Sequence, residues 1–186
     1  MNCSGKHAAM LATCVANGWD TKTYLDPEHP LQRAIRSAVE DLTGVEVEVT
    51  AVDGCGAPLL STTLTGLAES FRRLVLAEPG SPEHRVAQAY RDHPEHASGS
   101  QRDESRLLRA LPGAVAKAGA EGCYAVALPD GHAVALKIDD GSVRARPVVM
   151  AAALRRLGVD HPVLEEQSEH VLYGGGEPVG AVRPSS

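Results

Sequence analysis

Tyr124-Ala125-Val126-Ala127-Leu128-Pro129-Asp130-Gly131-His132-Ala133-Val134-Ala135-Leu136-Lys137-Ile138 is the stretch that decides the fold class. Pro129-Asp130-Gly131 is turn chemistry between two apolar runs of strand length, Tyr124–Leu128 and Ala133–Ile138, so the segment predicts a hairpin. Upstream, Ala114-Val115-Ala116-Lys117-Ala118-Gly119 reads as a further strand, set off by the Pro112-Gly113 break. Downstream, Pro147 opens a last helix through Val148 to Leu157, and the tail carries a glycine run, Gly174 to Gly176, with one edge strand at Val179–Arg183.

Before that sheet the pattern is mostly helical. Met10, Leu11, Cys14 and Val15 recur at helical spacing until Gly18. Asp26-Pro27 or His29-Pro30 starts a second helix with the stripe Leu31, Ile35, Ala38, Val39 and Leu42, and Gly44 stops it. Val45, Val47, Val49 and Ala51 alternate with polar residues, which predicts a half-buried strand running into Asp53-Gly54-Cys55-Gly56. Ser61 or Thr62 caps a third helix and Ser81-Pro82-Glu83 starts a fourth; 96–103 reads as a loop before a short helix through Leu107, Leu108 and Leu111. Helices first and hairpins last give an α+β class, an antiparallel sheet flanked by helices. No repeat or internal linker divides the 186 residues, which are read as a single domain, 1–186.

Hydrophobic residues make up 43% of the chain but aromatics only 3%, so the core must be built from Ala, Val and Leu. The formal net charge of −6 argues against nucleic acid as a partner, because no basic face would offset the phosphate electrostatics. No apolar run reaches membrane-span length, so no membrane partner is expected. Cysteines stand at 3, 14, 55 and 123 without a signal peptide or the spacing of a stapled scaffold, which reads as a reduced, cytoplasmic protein. On that reading Cys3 and Cys55 are available as ligands, and Cys14 and Cys123 are small buried hydrophobes.

The densest chemistry is Asn2-Cys3-Ser4-Gly5-Lys6-His7, at the start of the first helix. Free backbone N–H groups and the positive dipole end favour a thiolate there. Two thiolates with nitrogen support suit Zn²⁺, although Lys6 could ligate only after losing its proton, and two unrelated turn cysteines are the commoner explanation of such spacing. His7 is an alternative ligand or an orienting group. Asp53, two residues before Cys55, either caps its own turn or belongs to the site. Lys117, framed by apolar residues, could act as a base or hold an anion, against the ordinary reading of a solvated lysine. Lysine occurs only at 6, 22, 117 and 137, and Lys137 has the same framing. The histidines at 84, 93, 96, 161 and 170 share no spacing and are read as surface.

With these residues the chain resembles the rhizobial-type, thermolabile, zinc-containing L-asparaginases. The resemblance runs through Cys3-Ser4-Gly5-Lys6-His7, Met10-Leu11-Ala12, Tyr24, His29-Pro30, Gln32 and Asp53-Gly54-Cys55. It continues through His93-Pro94-Glu95 with Gly99, Lys117-x-Gly119 with Tyr124, and Leu136 to Gly141, nearly the whole chain. It implies a fold similar to serine β-lactamases and glutaminases, here incomplete. It implies Cys3, Lys6 and Cys55 as ligands of a Zn²⁺ cofactor, Lys117 as a catalytic lysine and Asp53 as a site residue, with His7 beside them. The implied substrate is a small amide, L-asparagine, hydrolysed to aspartate and ammonia through an acylated serine; homodimer formation stays open.

The family carries its nucleophile in a Ser-x-x-Lys pair, and a second active serine, ahead of the Cys-Ser-Gly-Lys-His motif. Here that motif begins within the first residues, and no serine stands three residues before a lysine. Met1 therefore reads as a start inside a longer frame, and the chain as a C-terminal portion inactive alone. The alternatives are a non-catalytic zinc-binding remnant and one half of a split enzyme. A β-lactamase-like enzyme or peptidase fits the fold but not the cysteine–lysine site.

Overall fold

The computed structural model describes residues 2–185, so the reading of Met1 falls outside it. The chain forms two compact units, divided in the sequence between Ser70 and Phe71. The first contains α1 (Asn2–Asn17), α2 (Pro30–Thr43), the strands β1 (Thr50–Val52) and β2 (Pro58–Leu60), and the start of α3 (Leu64–Val75). The second contains α4 (Pro82–Asp92), α5 (Pro94–Ser98), α6 (Asp103–Ala110), β3 (Val115–Ala118), β4 (Cys123–Ala127), β5 (Ala133–Lys137), α7 (Arg146–Arg156), α8 (Pro162–Glu166), β6 (His170–Gly174) and β7 (Glu177–Val182). All strand pairs are antiparallel: β1-β2, β3-β4-β5 and β6-β7. The class is α+β, with three small sheets among the described residues.

In the first unit, Pro30 sits at the start of α2 and Gly44 ends it at φ 66°, a left-handed cap that suits glycine. Met10, Cys14, Leu31 and Ala57 form the core, with Trp19, Tyr24, Leu25, Ile35 and Cys55 packed around them. The strand expected over 45–51 is a correction: pairing begins only at Thr50, and β1 is fully exposed. The reason lies in the backbone. Val47 N–H donates to the Glu40 carboxylate at 3.0 Å, the Val47 carbonyl accepts from Arg36, and Val49 N–H donates to Ser61 Oγ. Side chains thus satisfy the groups a neighbouring strand would have taken. The α3 cap is Thr63, whose hydroxyl accepts from Gly66 N–H, rather than Ser61 or Thr62.

In the second unit, the hairpin stands as the sequence predicts, with Cys123 opposite Lys137 and Ala127 opposite Ala133. The core gathers Val126, Tyr124, Ala116 and Ala118 of the sheet with Leu107, Met150, Leu154 and Leu164 of the helices. Gly122, at φ 73°, closes the β3–β4 connection where an added Cβ would lie 2.7 Å from Ile138 Cβ. Three short elements escape the sequence reading. Residues 94–98, read largely as loop, are α5, and His161-Pro162 opens α8. The edge strand β7 has a partner, β6, joined through Gly175 and Gly176, both at positive φ as a tight two-residue hairpin requires. Cys14 is buried as expected, whereas Cys123 is only half-buried, and all four cysteines are unbridged. Among the described residues no helix is long and apolar enough to cross a membrane.

Candidate functional site

On α1, residues 3, 6, 7, 10 and 14 share one face at helical spacing. Met10 and Cys14 anchor that face in the core, so Cys3, Lys6 and His7 occupy the same face one to two turns nearer the helix start. The opposing group is the turn after β1. Gly56 N–H donates to the Asp53 carbonyl at 2.8 Å, and Asp53 N–H donates to the Ala57 carbonyl at 2.9 Å, so Asp53 and Cys55 project from a closed loop. Gly56 stands at φ 85°, which the turn requires.

The two segments converge. Lys6 Nζ donates to Asp53 Oδ2 at 3.1 Å, and Cys55 Sγ approaches the same oxygen at 3.3 Å. Asp53 Oδ1 accepts from Gly54 N–H at 2.8 Å. The ligand atoms of Cys3, Asp53 and Cys55 all lie within 4.8 Å of one another. His7 is turned to Tyr24, with Nδ1 2.7 Å from the phenol oxygen and the rings edge-on. Tyr24 is held in turn by Gln32, whose amide donates to the Tyr24 carbonyl at 2.7 Å. His29 caps α2 through Nδ1, which accepts from Leu31 N–H, leaving Nε2–H to donate to the Asp20 carbonyl at 3.0 Å. His29, Gln32 and Tyr24 therefore fix the connection that carries α1 into α2.

The electrostatics follow from this geometry. The Lys6 hydrogen bond, aided by Cys55 and Gly54, holds the Asp53 carboxyl below the usual carboxylate range. Partial burial pulls the Lys6 ammonium down, but hydrogen bonds to Asp53 and Cys55 outweigh it and leave the group raised. The helix start was expected to favour a Cys3 thiolate. Instead, the hydrogen bond with Cys55, then burial and the developing charge on Cys55, push the Cys3 thiol up, with Lys6 only partly opposing them. Two acidic sulfurs and a carboxylate within one small volume repel as they ionise, and a bound cation would relieve that repulsion. The donor set of two sulfurs and one carboxylate suits Zn²⁺. Lys6 could join it only as the neutral amine.

Lys117 lies in the second unit, on β3 opposite Ala125, half-buried, with its ammonium on the Ala118 carbonyl. Gly119 follows where an added Cβ would meet Cys123 Cβ at 3.2 Å, so the close β3–β4 approach favours glycine there. Lys137, on β5, is exposed and donates to the Ile138 carbonyl at 2.7 Å. Sequence reasoning missed a buried group beside this sheet. Arg146 at the start of α7 donates to Glu104 Oε2 at 3.2 Å and to Asp103, and its guanidinium lies 5.3 Å from the Tyr124 ring centroid. Burial, then the Asp103 neighbour, raise the Glu104 carboxyl. The only sequence signal is the pair of adjacent acids, Asp103 and Glu104, at the start of α6.

A family model described as L-asparaginase II matches residues 1–184. No curated protein matches the chain.

Proposed function

The chain belongs to the L-asparaginase II family, and from that premise we propose that it takes part in hydrolysing the side-chain amide of L-asparagine to aspartate and ammonia. The match over nearly the whole chain carries this reading. The meeting of Lys6 with Asp53, 47 positions apart, supports it locally, since it brings together the two most specific motifs of the resemblance.

Cys3 and Cys55 are the sulfur ligands in this reading, and Lys6 is the third ligand, with Asp53 as its hydrogen-bond partner. A zinc ion held there supplies positive charge and Lewis acidity. Asp53 and the Gly54 N–H keep the Cys55 turn closed, and the His7–Tyr24 contact orients the α1 face. Lys117 is the catalytic lysine, a proton relay to a serine nucleophile. Gly119 permits close approach of the strand beyond it. The serine β-lactamase-like arrangement is part of the same proposal, with β3-β4-β5 as a section of that sheet. No serine of these 186 residues stands three before a lysine, and in this reading the hydroxyl that Lys117 serves is supplied by a Ser-x-x-Lys segment outside them. A non-catalytic zinc-binding remnant is the competing reading.

The test is ammonia release from L-asparagine by the chain mixed with a family Ser-x-x-Lys segment. Lys117→Met should lower turnover by at least about 100-fold, the usual range for loss of an acid–base group. Lys137→Met should mostly spare it. The reverse pattern would place the catalytic lysine on β5 and overturn the assignment.

A further inference from the structure

Between α4 and α6 the chain reads His93-Pro94-Glu95-His96. We propose that His93, Glu95 and His96 form a surface site for a divalent transition-metal cation of the zinc, nickel and copper group. His93 Nδ1 and His96 Nε2 each lie 3.9 Å from the same oxygen, Glu95 Oε1, and the ligand atoms of all three residues fall within 4.8 Å of one another. The imidazoles stack, with centroids 5.5 Å apart and planes at 18°. A cation bonded at about 2.1 Å to each donor spans donor pairs up to about 4.2 Å apart. Both histidine–glutamate pairs already lie within that span, and small side-chain rotations close the third. Two imidazoles and one carboxylate are borderline donors, suited to these metals rather than to magnesium or calcium.

The backbone presents the three side chains from a pinned turn. His93 N–H closes α4 on the Ala89 carbonyl, His96 N–H donates to the His93 carbonyl at 3.0 Å, and Gly99 N–H donates to the Glu95 carbonyl at 2.7 Å. The fully buried Ser105 hydroxyl reaches the Pro94 carbonyl at 3.3 Å and also meets the Gly99 carbonyl, tying both ends of α5. Pro94 and Ser98 are themselves buried. Such a turn reduces the ordering that ligation costs. The two other histidines that precede a proline at a helix start, His29 and His161, each use Nδ1 to accept from the backbone two residues on. His93 makes no such cap, and its ring faces Glu95 and His96 instead.

The experiment is titration of Zn²⁺ and Ni²⁺ into the full chain carrying Cys3→Ser and Cys55→Ser, followed by calorimetry and by the imidazole NMR signals. One equivalent should bind in the micromolar range and shift the His93 and His96 rings together. His93→Ala and His96→Ala should each weaken binding by at least about tenfold, Glu95→Gln by less, and His84→Ala not at all. Copper(II) electron paramagnetic resonance of the chain with its cysteines intact is the second measurement, should the serine variants fail to fold. It should show a two-nitrogen signal that His93→Ala removes. Uptake no tighter than millimolar, or binding indifferent to both histidine substitutions, would overturn the site.

Discussion

Asp53 is the residue on which the first site turns, because it holds Lys6, Cys55 and its own loop at once. The sequence made Cys3, Lys6 and Cys55 legible as candidates through two short motifs. It left Asp53 between a turn cap and a site role; in the structure its carboxylate accepts from Gly54 N–H in its own turn and also meets Lys6 and Cys55. What the motifs could not convey was the competition among the groups: the local dipole argument favours the Cys3 thiolate, and a neighbouring sulfur 52 positions away reverses it. His7 was equally ambiguous, since only the fold reveals Tyr24 as its partner. These contacts set an order of effects for metal retention. In purified protein, Cys3→Ser and Cys55→Ser should each abolish stoichiometric zinc, and Lys6→Met should weaken it by about 10- to 100-fold or more. His7→Ala should leave it largely in place. Elemental analysis checks all four, and zinc lost with His7→Ala but kept with Lys6→Met would make the imidazole the nitrogen ligand.

Among the elements, β4 and β5 were readable because their information is local: two apolar runs, one turn and a fixed register. The strand over 45–51 was misplaced because alternation records which side chains are apolar, whereas pairing depends on partners, and here Glu40, Arg36 and Ser61 take the backbone groups. Helices α5 and α8, of five residues each, are too short to show a period. The start of α7 illustrates what no local pattern contains. Arg146 enters the interior to meet carboxylates more than 40 positions earlier, with its side chain 6% exposed and that of Glu104 at 0%. Removing one partner of a buried ion pair strands the other charge, so Arg146→Met should cost about 3–5 kcal/mol. Urea unfolding at neutral pH measures this, and a loss below about 1 kcal/mol would show that water already solvates Asp103 and Glu104.

Across the whole molecule, the scarcity of aromatic residues is met as composition requires. The core of the second unit is Ala, Val, Leu and Met around one fully buried tyrosine, Tyr124. In the first unit Val49, Val52 and Leu59 lie exposed along the two-stranded hairpin. The family was legible because its motifs are spread over both units. No glycine- or proline-rich linker marks the boundary between the two units, and α3 runs across it. The claim to be tested at this scale is that these residues supply the lysine and the cysteine cluster of an asparagine amidohydrolase, but not its nucleophile. The direct measurement is ammonia release from L-asparagine by the isolated chain, first alone and then with the Ser-x-x-Lys segment added in trans. The account predicts no turnover above background alone and clear turnover on mixing. Robust turnover by the chain alone would contradict it, by requiring a nucleophile among Ser4, Cys3 or water, and so would failure of the mixture to release ammonia.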